Sequence, residues 1–566
     1  MKFLLISVLI CFPFIFARGQ QGWPMVIVNE QYFSKMVRYF LFLMYPFFIS
    51  NEVKAQQSPQ PNIIFIVADD LGYSDIGCYG GEINTPALNK LANEGLRISN
   101  MHNASMCVLS RSSLLSGKWW PKAGKGIASG TNIAQELKKS GYRTGIVGKW
   151  HLLDEPNNKG FDYFFGFLGG FSNYQEGSKD YRLNKTPFTD FKSNYYSTDA
   201  FTERAIAFIK PGNHLEGKPF FLYLSYQSPH NPLQAPKEDI MKYRGTYLKG
   251  WQAIREARIK NQIKFGIVKP TSPLPSFPQN LPDWESLTPE QRDLEDLRMS
   301  VYAAMVERMD KGIGQLMKAL ETNGQRDNTF IIFLSDNGTD SFSILDSTLL
   351  EKGFLPGDNG SNFQPGTGWA YAGVSPWRLY KISQHAGGVK TGAIAWFPKK
   401  IKNPGTLLEN PLHVVDIMPT VLDLASIGSN AKQPNQMVDS LSGQSFVALL
   451  SGENWKRNLP MYFQFMDNRA IRTDQWTLVE VDGVGWELYD IRKDPHETND
   501  LSKKRPDIVD QLAADWLNWW KKESKRDTYE PESTSSGLHY RPQGDRGSGK
   551  KYLPSAMPKA LSGKYK

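Results

Sequence analysis

Cysteine is nearly absent: Cys11, Cys78 and Cys107 are the only three in 566 residues. Cys11 lies in an apolar leader, and the two that remain are too few for the disulfide framework of a small secreted scaffold. A Cys78–Cys107 bridge is the disfavoured use of that pair. Histidine is scarce too, with eight in the whole chain. No apolar run reaches the roughly 20 residues of a membrane-spanning helix, so no stable membrane span is expected. No internal repeat occurs. The body also lacks an excess of charge: of the formal +9, residues 541–566 hold +6 and residues 1–55 hold +3. A neutral remainder offers no basic face for phosphates, which excludes nucleic acid as a partner.

What is present is globular composition, 40% hydrophobic and 13% aromatic, enough for a large core and unlike a disordered chain. Two segments near the start have the layout of an export signal. Met1-Lys2 leads an apolar run to Ala17, and Met36-Val37-Arg38 leads another that ends at Val53-Lys54-Ala55. The second has the better small-residue exit, so export with cleavage near Ala55 is expected.

Four short apolar runs share one design: Asn62–Val67, Thr144–Val147, Phe220–Leu224 and Thr329–Leu334. Their unbroken apolar character suits strands covered on both faces, as in a mainly parallel sheet sandwiched by helices. Each run ends in polar residues: Asp69-Asp70, Lys149-Trp150-His151, His230 and Asp336-Asn337. Ligands of open α/β sheets bind beyond the carboxyl ends of the strands, so these clusters should converge. Thr85-Pro86 opens a helix with Thr85 as N-cap, and Thr288-Pro289-Glu290-Gln291 opens a second with a capping box. Residues 243–287 read as a surface excursion. After residue 450, Arg469–Arg472, Trp476–Val479 and Trp486–Tyr489 read as a small antiparallel sheet. The helix over 506–522 carries Trp516, Trp519 and Trp520 as packing residues. The expected organisation is a leader (1–55), a catalytic α/β domain (56–450), a C-terminal α+β subdomain (451–530) and a basic extended tail (531–566).

Asp69, Asp70, Asp336 and Asn337 are all oxygen donors. Three carboxylates gathered at a sheet edge repel unless a hard cation sits among them, which points to Ca²⁺, with Mg²⁺ as second choice. The segment Cys107 to Gly117 reads as a loop entering a helix, where backbone N–H groups stabilise a developing anion.

Taken in order, these residues resemble the type I, formylglycine-dependent sulfatases of the alkaline-phosphatase superfamily. The motifs are the Asp69-Asp70 pair, Cys107-Val108-Leu109-Ser110-Arg111 through Gly117, Gly148-Lys149-Trp150-His151 and His230, then Asp336-Asn337-Gly338 and Lys381 ahead of Gly387-Gly388. Lys249-Gly250-Trp251 to Arg258, Trp284 to Leu287, and Tyr302 to Glu307 are similar to the arylsulfatase branch. The chain departs from the pattern at Leu109, where Pro is usual, and at Ala386, where Glu is usual.

The resemblance implies an alkaline-phosphatase-like fold and hydrolysis of sulfate monoesters, with a carbohydrate sulfate as the expected substrate. It implies that Cys107 is converted to formylglycine by a formylglycine-generating enzyme. Calcium would then be bound by Asp69, Asp70, Asp336, Asn337 and the modified Cys107. One hydroxyl of the formylglycine hydrate would attack sulfur, giving a sulfated enzyme. His151 would take the proton of the second hydroxyl. His230, with Lys381, would protonate the departing oxygen, while Lys149 and Arg111 would offset the sulfate charge. Two other readings stay open: an inert sulfated-glycan-binding relative, and a phosphonate or phosphodiester hydrolase of the same superfamily. The two-zinc phosphatases need more histidine than this chain has. If the second leader is the working one, N-terminal sequencing of secreted protein should return a start near Gln56, whereas a start near Arg18 would assign export to the first.

Overall fold

Every residue of β1 (Asn62–Asp69) is buried, with Ile64, Ile66 and Ala68 in one apolar cluster and Ile63, Phe65 and Val67 in another. A strand with two apolar faces must be covered on both sides, and that condition places it at the centre of the sheet. The structure is a computed structural model that describes residues 60–127, 132–212, 217–343, 346–427, 441–480, 485–530 and 552–565. The two leader segments and the cleavage position at Ala55 lie outside the described residues.

Among the described residues the large sheet has eleven strands. After β1 come β2 (Leu96–His102), β3 (Arg143–Lys149), β4 (Tyr163–Phe167), β5 (Tyr181–Leu183), β6 (Thr186–Pro187), β7 (Phe220–Pro229), β8 (Thr329–Ser335), β9 (Lys390–Trp396), β10 (Leu407–Leu408) and β11 (Leu412–His413). Their spatial order is β10-β2-β9-β8-β1-β7-β3-β4-β5-β6, with β11 also on β2. The four apolar runs read from the sequence are the consecutive strands β8, β1, β7 and β3, all parallel. Their carboxyl ends therefore share one edge of the sheet. Like β5 between β4 and β6, β9 is reversed, antiparallel to both β8 and β2. Its first residue thus lies at the edge where its neighbours end, and the loop leading into it is delivered there.

Helices cover both faces. α1 (Pro86–Glu94) begins after Thr85, but the Thr85 hydroxyl accepts from Gly77 N–H at 2.9 Å and does not cap the helix. The Asp310 carboxylate takes that role, accepting from Ala87 and Leu88 N–H at 3.0 and 2.7 Å. α2 (Cys107–Ser116) follows β2, and α3 (Ser197–Ile209) precedes β7. α4 (Gly250–Lys264) occupies the segment expected at the surface, yet Trp251, Arg255 and Arg258 are buried. Arg258 reaches Asp75 at 2.5 Å and Glu82 at 2.8 Å, so the excursion is packed into the body by paired charges. α5 (Pro289–Thr322) opens with both hydrogen bonds of the capping box between Thr288 and Gln291.

The C-terminal sheet has four antiparallel strands, β12 (Met461–Phe465), β13 (Asn468–Arg472), β14 (Trp476–Glu480) and β15 (Trp486–Asp490), one more than the three runs read from the sequence. α6 (Pro506–Ser524) packs on it through Trp516, Trp519 and Trp520. Residues 552–565 return to the main body. Tyr552 donates to Glu295 at 3.0 Å, and Lys564 and Tyr565 hold Asp358 at 2.6 and 2.9 Å.

Trp516 is fully buried, stacks on Trp520 at 5.8 Å and donates to the Phe463 carbonyl at 3.0 Å. Its replacement by alanine should cost about 3–5 kcal/mol, measured by chemical denaturation; a loss below about 1 kcal/mol would contradict a packing role.

Candidate active site

β1 ends in Asp69, and Asp70 follows it; the two are 0% and 1% exposed. Adjacent side chains on a strand normally point to opposite faces, but Asp70 adopts a left-handed φ of 61°, which breaks the alternation. Oxygens of Asp69 and Asp70 then lie within 4.8 Å of each other and of a His230 nitrogen. The Lys149 ammonium, from the end of β3, sits 2.5 Å from Asp69 Oδ2. The Lys381 ammonium, from the loop before β9, lies 2.7 Å from Asp70 Oδ1.

Asp336 and Asn337 follow β8. Asp336 N–H donates to the Ala68 carbonyl at 3.1 Å, continuing the pairing with β1. Asn337 Nδ2 donates to Asp70 Oδ1 at 2.5 Å. Gly338 is required here, because a Cβ would lie 1.9 Å from the Gly387 carbonyl oxygen. Arg111, one helical turn beyond Cys107 on α2, places Nε and Nη2 at 2.9 and 2.7 Å from Asp336 Oδ2. Tyr223 and Ser225 of β7 accept from its other nitrogen.

Cys107 is the first residue of α2, and no side chain caps that helix. Its Sγ lies 3.2 Å from His151 Nδ1 and within 4.8 Å of oxygens of Asp69 and Asp336. His230 Nδ1 faces the Asn231 carbonyl at 2.7 Å, which leaves Nε2 directed to Asp70 at 3.5 Å. Cys78 and Cys107 are both free thiols. All ten residues named from the sequence therefore meet in one network: Asp69, Asp70, Cys107, Arg111, Lys149, His151, His230, Asp336, Asn337 and Lys381.

The electrostatics follow from burial and charge. Burial and the neighbouring Asp69 carboxylate push Asp336 up from the usual carboxylate range. Asp70 is lowered, because Lys381 and His230 outweigh its burial. Lys381 is held well above its ordinary value by Asp70 despite burial. Burial, with Lys149 and Arg111 nearby, drives His151 well below its usual value, so its imidazole is neutral and can accept a proton. Burial lowers His230 to about 3 against the pull of Asp70. Burial raises the Cys107 thiol, so it stays protonated.

Asp69 Oδ1 and Asn337 Oδ1 are buried acceptors with no hydrogen-bond donor among the described residues. Unpaired buried acceptors are rare because each carries its full desolvation cost. Two of them beside Asp70 and Asp336 fit a metal held by oxygen ligands. The acidic cluster is thus a possible metal site, and three cations beside it suit an anionic substrate.

Some neighbours had no signal in the sequence. Asp340 is buried where Lys381 and Asp70 act on it, and Gln364 donates to it at 2.9 Å. Phe171 is 51% exposed and stacks on His230 at 6.2 Å between ring centres. His385, by contrast, stands in the motif that follows Lys381, and it meets Glu487 of β15 at 2.9 Å, tying the Lys381 loop to the C-terminal sheet.

Comparison with known proteins identifies the family. A family model described as Sulfatase matches residues 61–427. The chain belongs to the sulfatase family. A second model, N-sulphoglucosamine sulphohydrolase, C-terminal, matches residues 380–519. An uncharacterised sulfatase of Schizosaccharomyces pombe is 34% identical over 82% of this chain and 94% of its own length. The arylsulfatase of Klebsiella aerogenes is 32% identical over 71% of this chain and 94% of its own. The crystal structure of Ps i-CgsB in complex with k-i-k-neocarrahexaose superposes with a TM-score of 0.61 at 27% identity, covering 84% of this chain and 96% of that one. The sulfatase described here is a sulfuric ester hydrolase of the type I family within the alkaline-phosphatase superfamily.

Asp69→Asn keeps the shape of the side chain while removing a charge. Metal content by elemental analysis should fall from about one ion per chain to a small fraction, with near-UV circular dichroism unchanged; full retention of metal would remove Asp69 from the site.

Proposed function

We propose that this sulfatase cleaves sulfate monoesters of carbohydrates with a formylglycine made from Cys107 and a calcium ion. The observation that carries the reading is the position of Cys107. It opens a helix, contacts a neutral His151 and lies among the carboxylates and cations. As an unmodified thiol it is a poor nucleophile, because burial keeps it protonated. Converted by a formylglycine-generating enzyme, its hydrate would supply a hydroxyl nucleophile. Asp69, Asp70, Asp336 and Asn337 would hold the calcium, which supplies charge stabilisation for a sulfate oxygen.

The chain's own residues then have separable tasks. Lys149, Arg111 and Lys381 offset the negative charge of the bound sulfate, and Arg111 is fixed for this by its two-point contact with Asp336. His151 accepts a hydroxyl proton at residue 107, as its contact with Sγ supports. His230 and Lys381 flank Asp70 and deliver a proton to the departing alcohol oxygen. His230 enters that role on binding an anion, because negative charge at the site opposes the burial that keeps it neutral.

A carbohydrate substrate draws support from the similar Ps i-CgsB structure, which is a complex with a neocarrahexaose. The half-exposed ring of Phe171 beside His230 offers a flat apolar surface suited to a sugar face. Export with cleavage near Ala55 fits the family and the leader pattern. No helix among the described residues is long and apolar enough to cross a membrane. We assign catalysis to residues 56–450, a supporting role to 451–530 and a strapping role to the tail.

Mass spectrometry of the tryptic peptide Ile98–Arg111 should show CH₂SH replaced by an aldehyde in native protein. Cys107→Ala should lose essentially all turnover of an aryl sulfate. A wholly unmodified thiol in native material would leave sulfated-glycan binding without turnover as the function.

A further inference from the structure

A second cavity, of about 580 Å³, opens between the edge of the large sheet and the C-terminal sheet. That volume falls in the range of roughly 300–1,000 Å³ typical of small-molecule sites. None of the ten active-site residues lines it. Its walls come from the carboxyl end of β2, the start of β9, the end of β13 and the segment after β15, and His102, Trp377, Lys390 and Arg472 are among them.

These four side chains are 2–7% exposed, and each has polar capacity that the protein does not fill. The Lys390 ammonium has no hydrogen-bond or ion-pair partner among the described residues; its contact is the face of Trp377 at 3.8 Å. Arg472 pairs with Glu497 through Nη2, but its Nε is buried with no acceptor. Trp377 Nε1 is likewise a buried donor without an acceptor. His102 Nδ1 faces the Asn100 and Leu412 carbonyls at 3.1 Å each and so carries the proton. That leaves Nε2 as a buried acceptor without a donor.

Burial and the Arg472 guanidinium lower Lys390 to about 7 against the pull of the Glu497 and Glu409 carboxylates, neither of which is in direct contact with it. Three unfilled donors, two of them basic, ask for an oxyanion. The unfilled acceptor asks for a hydroxyl, which inorganic sulfate does not offer. Trp377 and Tyr73 add aromatic wall. We propose that this cleft is a second saccharide-binding site, taking a sulfated sugar unit whose sulfate pairs with Lys390 and Arg472 and whose hydroxyl donates to His102. Such a site would hold one sulfated unit of a polymer outside the catalytic centre.

The test reads binding rather than turnover, so its outcome is independent of the chemistry at Cys107. Calorimetry on the full Cys107→Ala chain uses glucose 6-sulfate, with glucose and sodium sulfate as controls. Adding Lys390→Met, which keeps the aliphatic stem over Trp377, should abolish one binding event or weaken it roughly tenfold or more. Lys269→Glu, an exposed change on the rim that leaves the walls intact, should weaken the same event. In an otherwise native chain, Lys390→Met should hydrolyse a small aryl sulfate at the unchanged rate. Binding that neither substitution alters would overturn the site. Sodium sulfate binding as tightly as glucose 6-sulfate would overturn its assignment to a saccharide.

Discussion

Taking a carboxylate out of water costs several kcal/mol, and Asp69, Asp70 and Asp336 sit together with at most 2% of their surface exposed. Cations arrive beside them from three different elements: Arg111 from α2, Lys149 from β3 and Lys381 from the loop before β9. The pairing is incomplete, as the unfilled acceptors on Asp69 and Asn337 show. Charge compensation thus sets where the strands must end and which loops must meet them. The same excess of acceptors creates the demand for a metal.

The direction of β9 is the topological consequence. A parallel strand at that position would have put its entry loop at the far edge of the sheet, away from Asp70. Reversal brings Lys381 to the carboxyl edge, and the C-terminal sheet then secures the loop. His385 and Arg378 both engage Glu487, while Glu497 accepts from the Ala386 N–H at 2.9 Å and pairs with Arg472. Burial alone would raise Glu487, yet His385 and Arg378 hold its carboxyl well below the usual range. The small sheet is therefore part of the active-site support, and glycines at 387 and 388 allow the close backbone approach this requires.

How much of this was legible in the sequence follows from how each signal arises. Central parallel strands must be apolar on both faces, and all four such runs were readable; so were the polar residues at their ends, Asp69, Asp70, Lys149, His151, His230, Asp336 and Asn337, whereas Cys107, Arg111 and Lys381 were placed through the family resemblance. β2 and β9 carry Arg97, Asn100, His102 and Lys390, because part of each lies at an edge or over the cleft, and their polar positions masked them. The cap of α1 came from Asp310, more than 200 residues distant, which local sequence cannot disclose. Residues 243–287 looked solvated because their charges are many, but Arg258 is buried by finding Asp75 and Glu82. Phe171 and Asp340 lie in irregular loops, where no periodicity marks a side chain as facing the site.

Leu109 shows how one position can answer to two stages of a protein's life. In the folded chain it is fully buried, and its N–H donates to the Met106 carbonyl at 3.0 Å. A proline there would fix φ but could not make that bond. Cys107 is itself only 1% exposed, so an enzyme that modifies it must act before α2 closes over it. Under the proposed conversion, such an enzyme would meet an extended peptide, in which leucine supplies bulk without the stiffness of proline. The folded state gains a hydrogen bond at the start of the nucleophile helix, and the unfolded state loses a pre-ordered recognition segment. Under the proposed conversion of Cys107, the balance would fall on the rate of that conversion relative to folding.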